Sequence, residues 1–148
     1  MRSFKYKYHY AISNYISQKV IAQFGKYFTR DMVLVPVPSH PSKERERGFN
    51  QSLILAKKYS KLTGLPVINP LVRIKDSSQH AGMKRQERIT DENPFKLKPE
   101  FVPQLSDKKL MIVDDVCTTG TTLIQCASEL RKAGPRSASA IALFRGKK

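Results

Sequence analysis

The feature that most constrains the fold is an apolar strand that leads into two acids and a threonine-rich turn. Residues 110–113 read LMIV, Asp114 and Asp115 follow, and the chain continues as VCTTGTT. Beyond the turn, apolar residues recur at helical spacing as far as Gly134-Pro135, a pair that is typical of a helix end. A strand, a turn and a helix in this order predict an α/β fold with parallel strands.

The rest of the chain alternates helical and strand-like patterns in the same way. Apolar periodicity and short apolar runs predict, in chain order, a helix at 13–28, a strand at 33–37, a helix at 49–62, a strand at 65–72 and a strand at 139–144. The first strand is apolar on both faces, which indicates burial inside a parallel sheet. We therefore predict a single domain, residues 1–148, with a central parallel sheet flanked by helices.

Two connections between these elements are polar. Residues 39–47 follow the first strand and are predicted to form a loop. Residues 74–93 carry many charges without periodicity. A loop of that length is uncommon in a compact domain unless it has a function.

Charge narrows the class of partners. Lys and Arg number 27 against 12 Asp and Glu, which gives a net charge of +15, and no acid occurs before Asp31 or after Glu129. Such a balance favours polyanions, and it leaves both phosphorylated small molecules and nucleic acid open.

The sequence also indicates the cellular compartment of the protein. No apolar stretch is long enough to span a bilayer, and the first residues lack the apolar core of a secretory signal. Cys117 and Cys126 are the only cysteines, too few for a disulfide framework or a four-cysteine zinc site. We predict a cytoplasmic protein without membrane insertion and without zinc in this chain.

The threonine-rich turn has the chemistry of an anion site. A turn that enters a helix offers free backbone N–H groups and the positive end of the helix dipole, and Gly120 permits close approach. Asp114 and Asp115 would repel a phosphate, so they suit sugar hydroxyls or a metal that bridges to them. Together these groups predict a site for a phosphorylated ribose, although an ordinary strand–turn–helix connection with a capping threonine remains the alternative.

Several motifs of the sequence resemble those of a known family. The run LMIVDDVCTTGTTL resembles the phosphoribosyl-pyrophosphate motif of type I phosphoribosyltransferases. The run RERGFNQ at residues 45–51, the segment Pro36-Val37-Pro38, and Gln79 with Arg88 are similar to the ComF family of ComFC- and GntX-like proteins, which is linked to DNA uptake in competent bacteria. The resemblance covers nearly the whole chain from about Phe4.

The resemblance implies a fold and a set of site residues. The fold would be type I phosphoribosyltransferase-like, with a mobile hood loop at about residues 73–98 that carries Lys84, Arg85 and Arg88. Asp114 and Asp115 would bind the ribose hydroxyls, hold Mg²⁺ indirectly and act in catalysis together with Arg88. The 5-phosphate would be held by Thr118, Thr119, Gly120, Thr121 and Thr122. Pyrophosphate and its Mg²⁺ would face the loop around Ser39 and His40.

Three positions depart from the family pattern. The four-cysteine zinc module with which members usually begin is not in this sequence. Residues 116–118 lack the third acid that many purine transferases use as a base, and Asp91 stands where the hood usually has Asn. Without the zinc module, the resemblance is limited to the transferase part. The missing third acid weakens the case for purine transfer, and Asp91 makes the alignment of the hood imprecise.

Two basic segments have alternative interpretations. Arg45 and Arg47 form either a pyrophosphate grip, because the guanidinium fork suits phosphate, or a solvated charge run. The N-terminal tyrosines interleave with lysines and either stack on single-stranded nucleic acid or pack against the domain; they are Tyr6, Tyr8, Tyr10 and Tyr15.

Three functions follow as hypotheses. The protein is an enzyme that displaces pyrophosphate from phosphoribosyl pyrophosphate, a DNA-uptake module that binds nucleic acid without turnover, or a ligand-sensing regulator. The fold by itself does not choose among them, because one scaffold hosts many functions. In a DNA-uptake role the expected partners are single-stranded DNA and a competence helicase. No segment specifies the acceptor.

Overall fold

The computed structural model describes residues 14–74 and 93–146. In chain order the elements are α1 (residues 14–24), β1 (Met32–Pro36), α2 (Pro41–Arg47), α3 (Gln51–Thr63), β2 (Leu71–Arg73), β3 (Phe95–Leu97), α4 (Val102–Leu105), β4 (Lys109–Cys117), α5 (Thr121–Leu130) and β5 (Ser137–Arg145). Short 3₁₀ turns cover Gly25–Tyr27, Pro99–Phe101 and Arg131–Ala133.

The central sheet contains β1, β4 and β5, in that spatial order and all parallel. Val33 aligns with Leu110 on one side of β4, and Leu110 aligns with Ala138 on the other. The predicted α/β fold with a parallel sheet is therefore confirmed. Since β4 is the middle strand of the sheet, the residues at its carboxyl end lie between the ends of its two neighbours.

Both faces of the sheet are covered, which explains why β1 is buried at every position. On one face, Val35 and Ile112 pack with Cys126 and Leu130 of α5. On the other face, Leu34 and Met111 pack with residues of α3, including Leu55, Ala56 and Tyr59. Each fully buried aliphatic side chain contributes about 1.5–3 kcal/mol, so these two layers fix where α3 and α5 begin relative to the sheet.

A two-stranded antiparallel hairpin, β2–β3, lies against α5. The amide of Asn93 donates to the carbonyl oxygen of Gln125 at 2.7 Å, and the backbone N–H of Leu97 donates to Glu129 at 3.1 Å. Burial opposes ionisation of Glu129, but hydrogen bonds from Lys132 and the Leu97 amide outweigh it and lower the pKa of Glu129. The hairpin is thus tied to the helix that follows the threonine-rich turn. The predicted hood residues between its strands, 75–92, lie outside the described residues.

Three sequence-based boundaries are corrected. Residues 41–47, predicted as loop, form α2, because Pro41 starts a helix well and His40 caps it. The strand predicted at 110–113 continues through both acids to Cys117, since β5 pairs with it up to that residue. The strand predicted at 65–72 is reduced to one parallel bridge between Leu34 and Val67, followed by β2.

None of the helices in the described part of the chain combines the length and the apolarity that a membrane span requires.

Candidate functional site

The candidate site lies at the carboxyl edge of the sheet. The backbone N–H of Val37 donates to the carbonyl oxygen of Val113 at 2.9 Å, which places the loop after β1 beside the acids of β4. On the other side, the end of β5 is paired with β4 as far as Cys117 and Arg145. Ligands of open α/β sheets bind at this edge, and the predicted loops do meet there.

Asp114 is a buried carboxylate, with 7% of its surface exposed. Its Oδ1 accepts hydrogen bonds from the Ser52 hydroxyl at 2.9 Å and from the backbone N–H of Asp115 at 3.0 Å. Burial raises the pKa of Asp114 to about 6; the Ser52 hydrogen bond opposes this shift and the neighbouring Asp115 carboxylate adds to it. Both of these hydrogen bonds are accepted by Oδ1.

Asp115 is half-buried and differs from its neighbour. Its Oδ1 accepts a hydrogen bond from the backbone N–H of Val116 at 3.0 Å. The two carboxylates are nevertheless close enough for the charge of Asp115 to raise the pKa of Asp114. Asp114 is hydrogen-bonded to Ser52 at the start of α3, whereas Asp115 is the more accessible of the two acids.

The threonine-rich turn is short and preorganised. Gly120 has a φ of 81°, a left-handed conformation that glycine adopts readily and that turns the chain into α5. The hydroxyls of Thr119 and Thr121 lie 2.9 Å apart and share a hydrogen bond. The described hydrogen bonds leave the backbone N–H groups of Thr118, Thr119 and Gly120 without a protein acceptor. Three donors at the start of a helix form a suitable cradle for an anion.

An open cavity of about 350 Å³ adjoins this turn. Besides turn residues it is lined by three side chains of β5 that sequence reasoning did not assign to the site: Ala142, Phe144 and Arg145. The parallel alignment of the last strand with β4 would have found them, because it pairs Val116 with Phe144.

Gly146 lies directly against the threonine-rich turn. Its backbone N–H donates to the carbonyl oxygen of Cys117 at 2.9 Å. A Cβ at this position would come within 2.6 Å of Cγ2 of Thr118. The absence of a side chain therefore lets the end of the last strand approach the threonine-rich turn closely.

The loop after β1 holds the residues predicted to face pyrophosphate. His40 is the N-cap of α2, and its Nδ1 accepts the backbone N–H of Ser42 at 3.3 Å. The Ser39 hydroxyl donates to Glu44 at 3.1 Å. Both residues are half-buried, and their side chains bond residues of the first turn of α2.

The predicted arginines are placed differently. Arg45 and Arg47 lie exposed in the last turn of α2, and Nη1 of Arg47 donates to Oε1 of Gln51 at 2.9 Å. Arg88 lies outside the described residues, so its assignment stays a prediction. The structure thus brings together the acids, the turn and the Ser39–His40 loop, with the two arginines on the adjoining helix.

The acids fit an indirectly held Mg²⁺. Within residues 14–74 and 93–146, no group of three or more His, Cys, Asp or Glu side chains forms a cage for a metal. Mg²⁺ commonly binds through one or two carboxylates together with waters and substrate phosphates, so such a cage is not needed. Asp114 and Asp115 provide carboxylates of this kind beside the threonine-rich turn.

The two thiols differ in burial. Cys117 is half-buried, lines the cavity and is free, as is Cys126. Burial raises the pKa of Cys126 to about 12, so this thiol stays protonated at neutral pH and acts as part of the core.

A parallel sheet that carries two acids and a threonine-rich turn at its carboxyl edge defines a type I phosphoribosyltransferase fold. The family pattern described as "Phosphoribosyl transferase domain" matches residues 50–148, more than half of the chain. The chain therefore belongs to the phosphoribosyl transferase domain family.

Curated relatives place the similarity among competence proteins, and the predicted resemblance to the ComF family is confirmed. Competence protein ComFC of Bacillus subtilis is 32% identical over 146 residues, which cover 96% of this chain and 57% of the relative. Competence protein F of Haemophilus influenzae is 33% identical over 106 residues, 68% of this chain and 44% of the relative. The chain thus spans about half the length of these relatives.

Among solved structures, a hypoxanthine phosphoribosyltransferase of Staphylococcus aureus aligns with a TM-score of 0.55 over 90% of this chain and 62% of that chain. Its sequence identity is 16%, so this similarity shows the fold alone.

Proposed function

We propose that the protein binds phosphoribosyl pyrophosphate with Mg²⁺ at the carboxyl edge of its sheet and supports DNA uptake in competent bacteria. The observation that carries the proposal is the placement of two acids shortly before a turn whose three backbone N–H groups have no acceptor among the described residues. One loop can then bind the hydroxyls and the 5-phosphate of the same ribose.

Each group has a distinct task in this proposal. Asp114 and Asp115 accept hydrogen bonds from the ribose hydroxyls. The turn residues 118–122 donate backbone and hydroxyl hydrogens to the 5-phosphate. The loop at Ser39 and His40, with Arg45 and Arg47 beside it, faces the pyrophosphate. Bound Mg²⁺ would supply positive charge that neutralises this group.

If the protein turns over, the chemistry is displacement of pyrophosphate from C1 of the ribose by an acceptor nucleophile. Positive charge beside the departing pyrophosphate, from Arg45, Arg47 and the bound Mg²⁺, would favour this step because it stabilises the charge that develops there. Arg88 in the hood is the further residue that the proposal assigns to catalysis. A role in DNA uptake would place the protein in the cytoplasm, with a competence helicase as its protein partner.

Isothermal titration with phosphoribosyl pyrophosphate, with and without Mg²⁺, tests the binding proposal. We expect saturable binding that Mg²⁺ strengthens and that the double substitution Asp114→Asn with Asp115→Asn weakens, with the circular dichroism spectrum unchanged. Release of pyrophosphate measured on the same sample separates turnover from binding alone. A folded protein that shows no heat at millimolar ligand contradicts the proposal.

A second function, weak binding of single-stranded nucleic acid without turnover, is favoured by the surface of α1 and the 3₁₀ turn that follows it. Tyr15 and Tyr27 are more than half exposed, and Lys19 and Lys26 lie over their rings at 5.5 and 5.1 Å from the centroids. Exposed aromatic rings among lysines can stack on bases and neutralise phosphates. Of the predicted N-terminal tyrosines, only Tyr15 lies within the described residues.

Fluorescence anisotropy with an oligonucleotide across a salt series tests this second function. If about four to six basic side chains touch phosphates, the log–log salt slope is about −3 to −4. If the protein does not bind the oligonucleotide at low salt, the second function is wrong, and the basic charge is explained by small phosphorylated ligands. The same measurement is repeated with phosphoribosyl pyrophosphate added. A change in DNA affinity indicates a ligand-sensing regulator, whereas an unchanged affinity indicates a protein that binds DNA regardless of the ligand.

A further inference from the structure

We propose that Asn50 and Ser52 are positioning residues that hold the loop after β1 and the carboxylate of Asp114 in β4 at a fixed separation. The inference rests on the proposed function, because it assigns a role to residues of that same site. Both residues lie at the start of α3. Asn50 makes a buried hydrogen bond to the loop after β1, and Ser52 makes one to Asp114 near the end of β4.

The starting point is the corner between α2 and α3. Gly48 ends α2 with a φ of 84°, and its backbone N–H donates to the carbonyl oxygen of Glu44 at 2.7 Å. Asn50 then caps α3, since its Oδ1 accepts the backbone N–H of Leu53 at 3.2 Å. The run RGFNQ is therefore a helix–helix corner, and the glycine and the asparagine are what form it.

The first hydrogen bond reaches the loop after β1. Nδ2 of Asn50 donates to the carbonyl oxygen of Val37 at 3.0 Å, and Asn50 is buried. The N–H of Val37 is already bonded to Val113, so the peptide groups on both sides of this residue are held. This fixes the direction in which the chain leaves the sheet toward Ser39 and His40.

The second hydrogen bond reaches the acid at the end of β4. The Ser52 hydroxyl donates to Oδ1 of Asp114 at 2.9 Å, across 62 positions of sequence. The Asp115 backbone N–H donates to the same oxygen, and the two donors together set the orientation of the carboxylate. The carboxylate then meets the ribose in a fixed orientation.

The two hydrogen bonds come from one turn of one helix. Asn50 and Ser52 are two residues apart, so the Val37 carbonyl and the Asp114 carboxylate are held by a single rigid unit. Of the six buried polar residues in the described part of the chain, three belong to this network: Asn50, Ser52 and Asp114. Buried polar groups at this density, each satisfied, indicate that the site geometry depends on them.

Ser52→Ala is the first test, and it has a readout that needs no ligand. Hydrogen exchange of the ligand-free protein, measured by mass spectrometry, is expected to accelerate in peptides covering residues 113–120 and to stay unchanged in the rest of α3. Ser17→Ala is the matched control, because Ser17 is fully buried and its hydroxyl has no hydrogen-bond partner among the described residues. Exchange that is unchanged at 113–120, or that rises equally throughout α3, overturns the inference.

Asn50→Asp tests the other hydrogen bond and gives a second variant should Ser52→Ala fail to fold. A carboxylate still caps α3 but no longer donates to the Val37 carbonyl. We expect faster exchange at residues 37–40 with the α3 amides still protected. Loss of protection in α3 itself would mean that Asn50 serves only as a cap and would overturn its positioning role.

Titration with phosphoribosyl pyrophosphate and Mg²⁺ then connects the network to binding. Ser52→Ala is expected to weaken binding about tenfold in the wild-type background, since hydrogen bonds to charged groups are among the stronger ones. In the Asp114→Asn background it should add no more than about twofold, because residues that act through one another are not additive. Additive losses overturn the inference. A wild-type protein that binds no ligand would refute the proposed function, while the exchange experiments still decide the positioning role.

Discussion

Asp114 is the residue for which function and stability make opposing demands, so Asp114→Asn gives a quantitative test. In the ligand-free protein the carboxylate is buried, and its pKa is raised from 3.8 to about 6. The neutral amide of Asn keeps an oxygen that can accept the hydrogen bonds of Ser52 and the Asp115 N–H. We therefore expect Asp114→Asn to stabilise the ligand-free fold at neutral pH while it weakens ligand binding.

The sign follows from linkage between protonation and folding. A carboxyl group with a raised pKa in the folded state favours folding when it is protonated, and this contribution is lost as pH rises from about 4 through about 6. Each pKa unit corresponds to about 1.36 kcal/mol, which sets an upper value of about 3 kcal/mol. We expect about 1–3 kcal/mol at pH 7, or roughly 3–10 °C in Tm.

Urea denaturation of both proteins in buffer with EDTA, at several pH values between 4 and 8, measures the effect. The variant should be more stable than the wild type above pH 7, and the difference should shrink toward pH 4. Asp31→Asn is the matched control, because the Thr29 hydroxyl and Lys109 lower the pKa of Asp31 to about 2. That substitution should destabilise the protein at neutral pH instead.

Two results would refute the reasoning. If Asp114→Asn is less stable than the wild type at pH 7, the carboxylate is compensated by its hydrogen bonds and burial does not dominate. If the difference between the two proteins does not change with pH, the raised pKa is not the cause.

Three further predictions concern contacts around the core and the site. Tyr59→Phe should raise the free energy of unfolding by about 1 kcal/mol, since the buried Tyr59 hydroxyl has no hydrogen-bond partner among the described residues; a loss in urea denaturation would contradict this. Gly146→Ala should weaken phosphoribosyl pyrophosphate binding with little change in Tm, because the new Cβ displaces Thr118; titration and a melting curve on one sample decide. Glu129→Ala should cost about 1–3 kcal/mol by leaving the Leu97 N–H unsatisfied, and hydrogen exchange should rise first in β3.

Local structure was predictable wherever the chain's own chemistry decides it. The apolar runs at 33–37 and 110–113 marked strands, and the turn after the acids was recognised from its threonines and Gly120. The predicted ends of strands were wrong where pairing with a neighbouring strand determines them. The strand through Asp114 to Cys117 is longer than its apolar run, because pairing with β5 continues past the last apolar residue.

The fold class, the two acids and the threonine-rich turn could be read from the sequence, because each depends on residues that are adjacent along the chain. The hydrogen bond from Ser52 to Asp114 and the lining of the cavity by Phe144 and Arg145 became visible only in the folded structure. These contacts join residues tens of positions apart, and no local pattern encodes which helix start meets which strand end. α3 reaches its position by packing on one face of the sheet, and β5 reaches its position by pairing with β4.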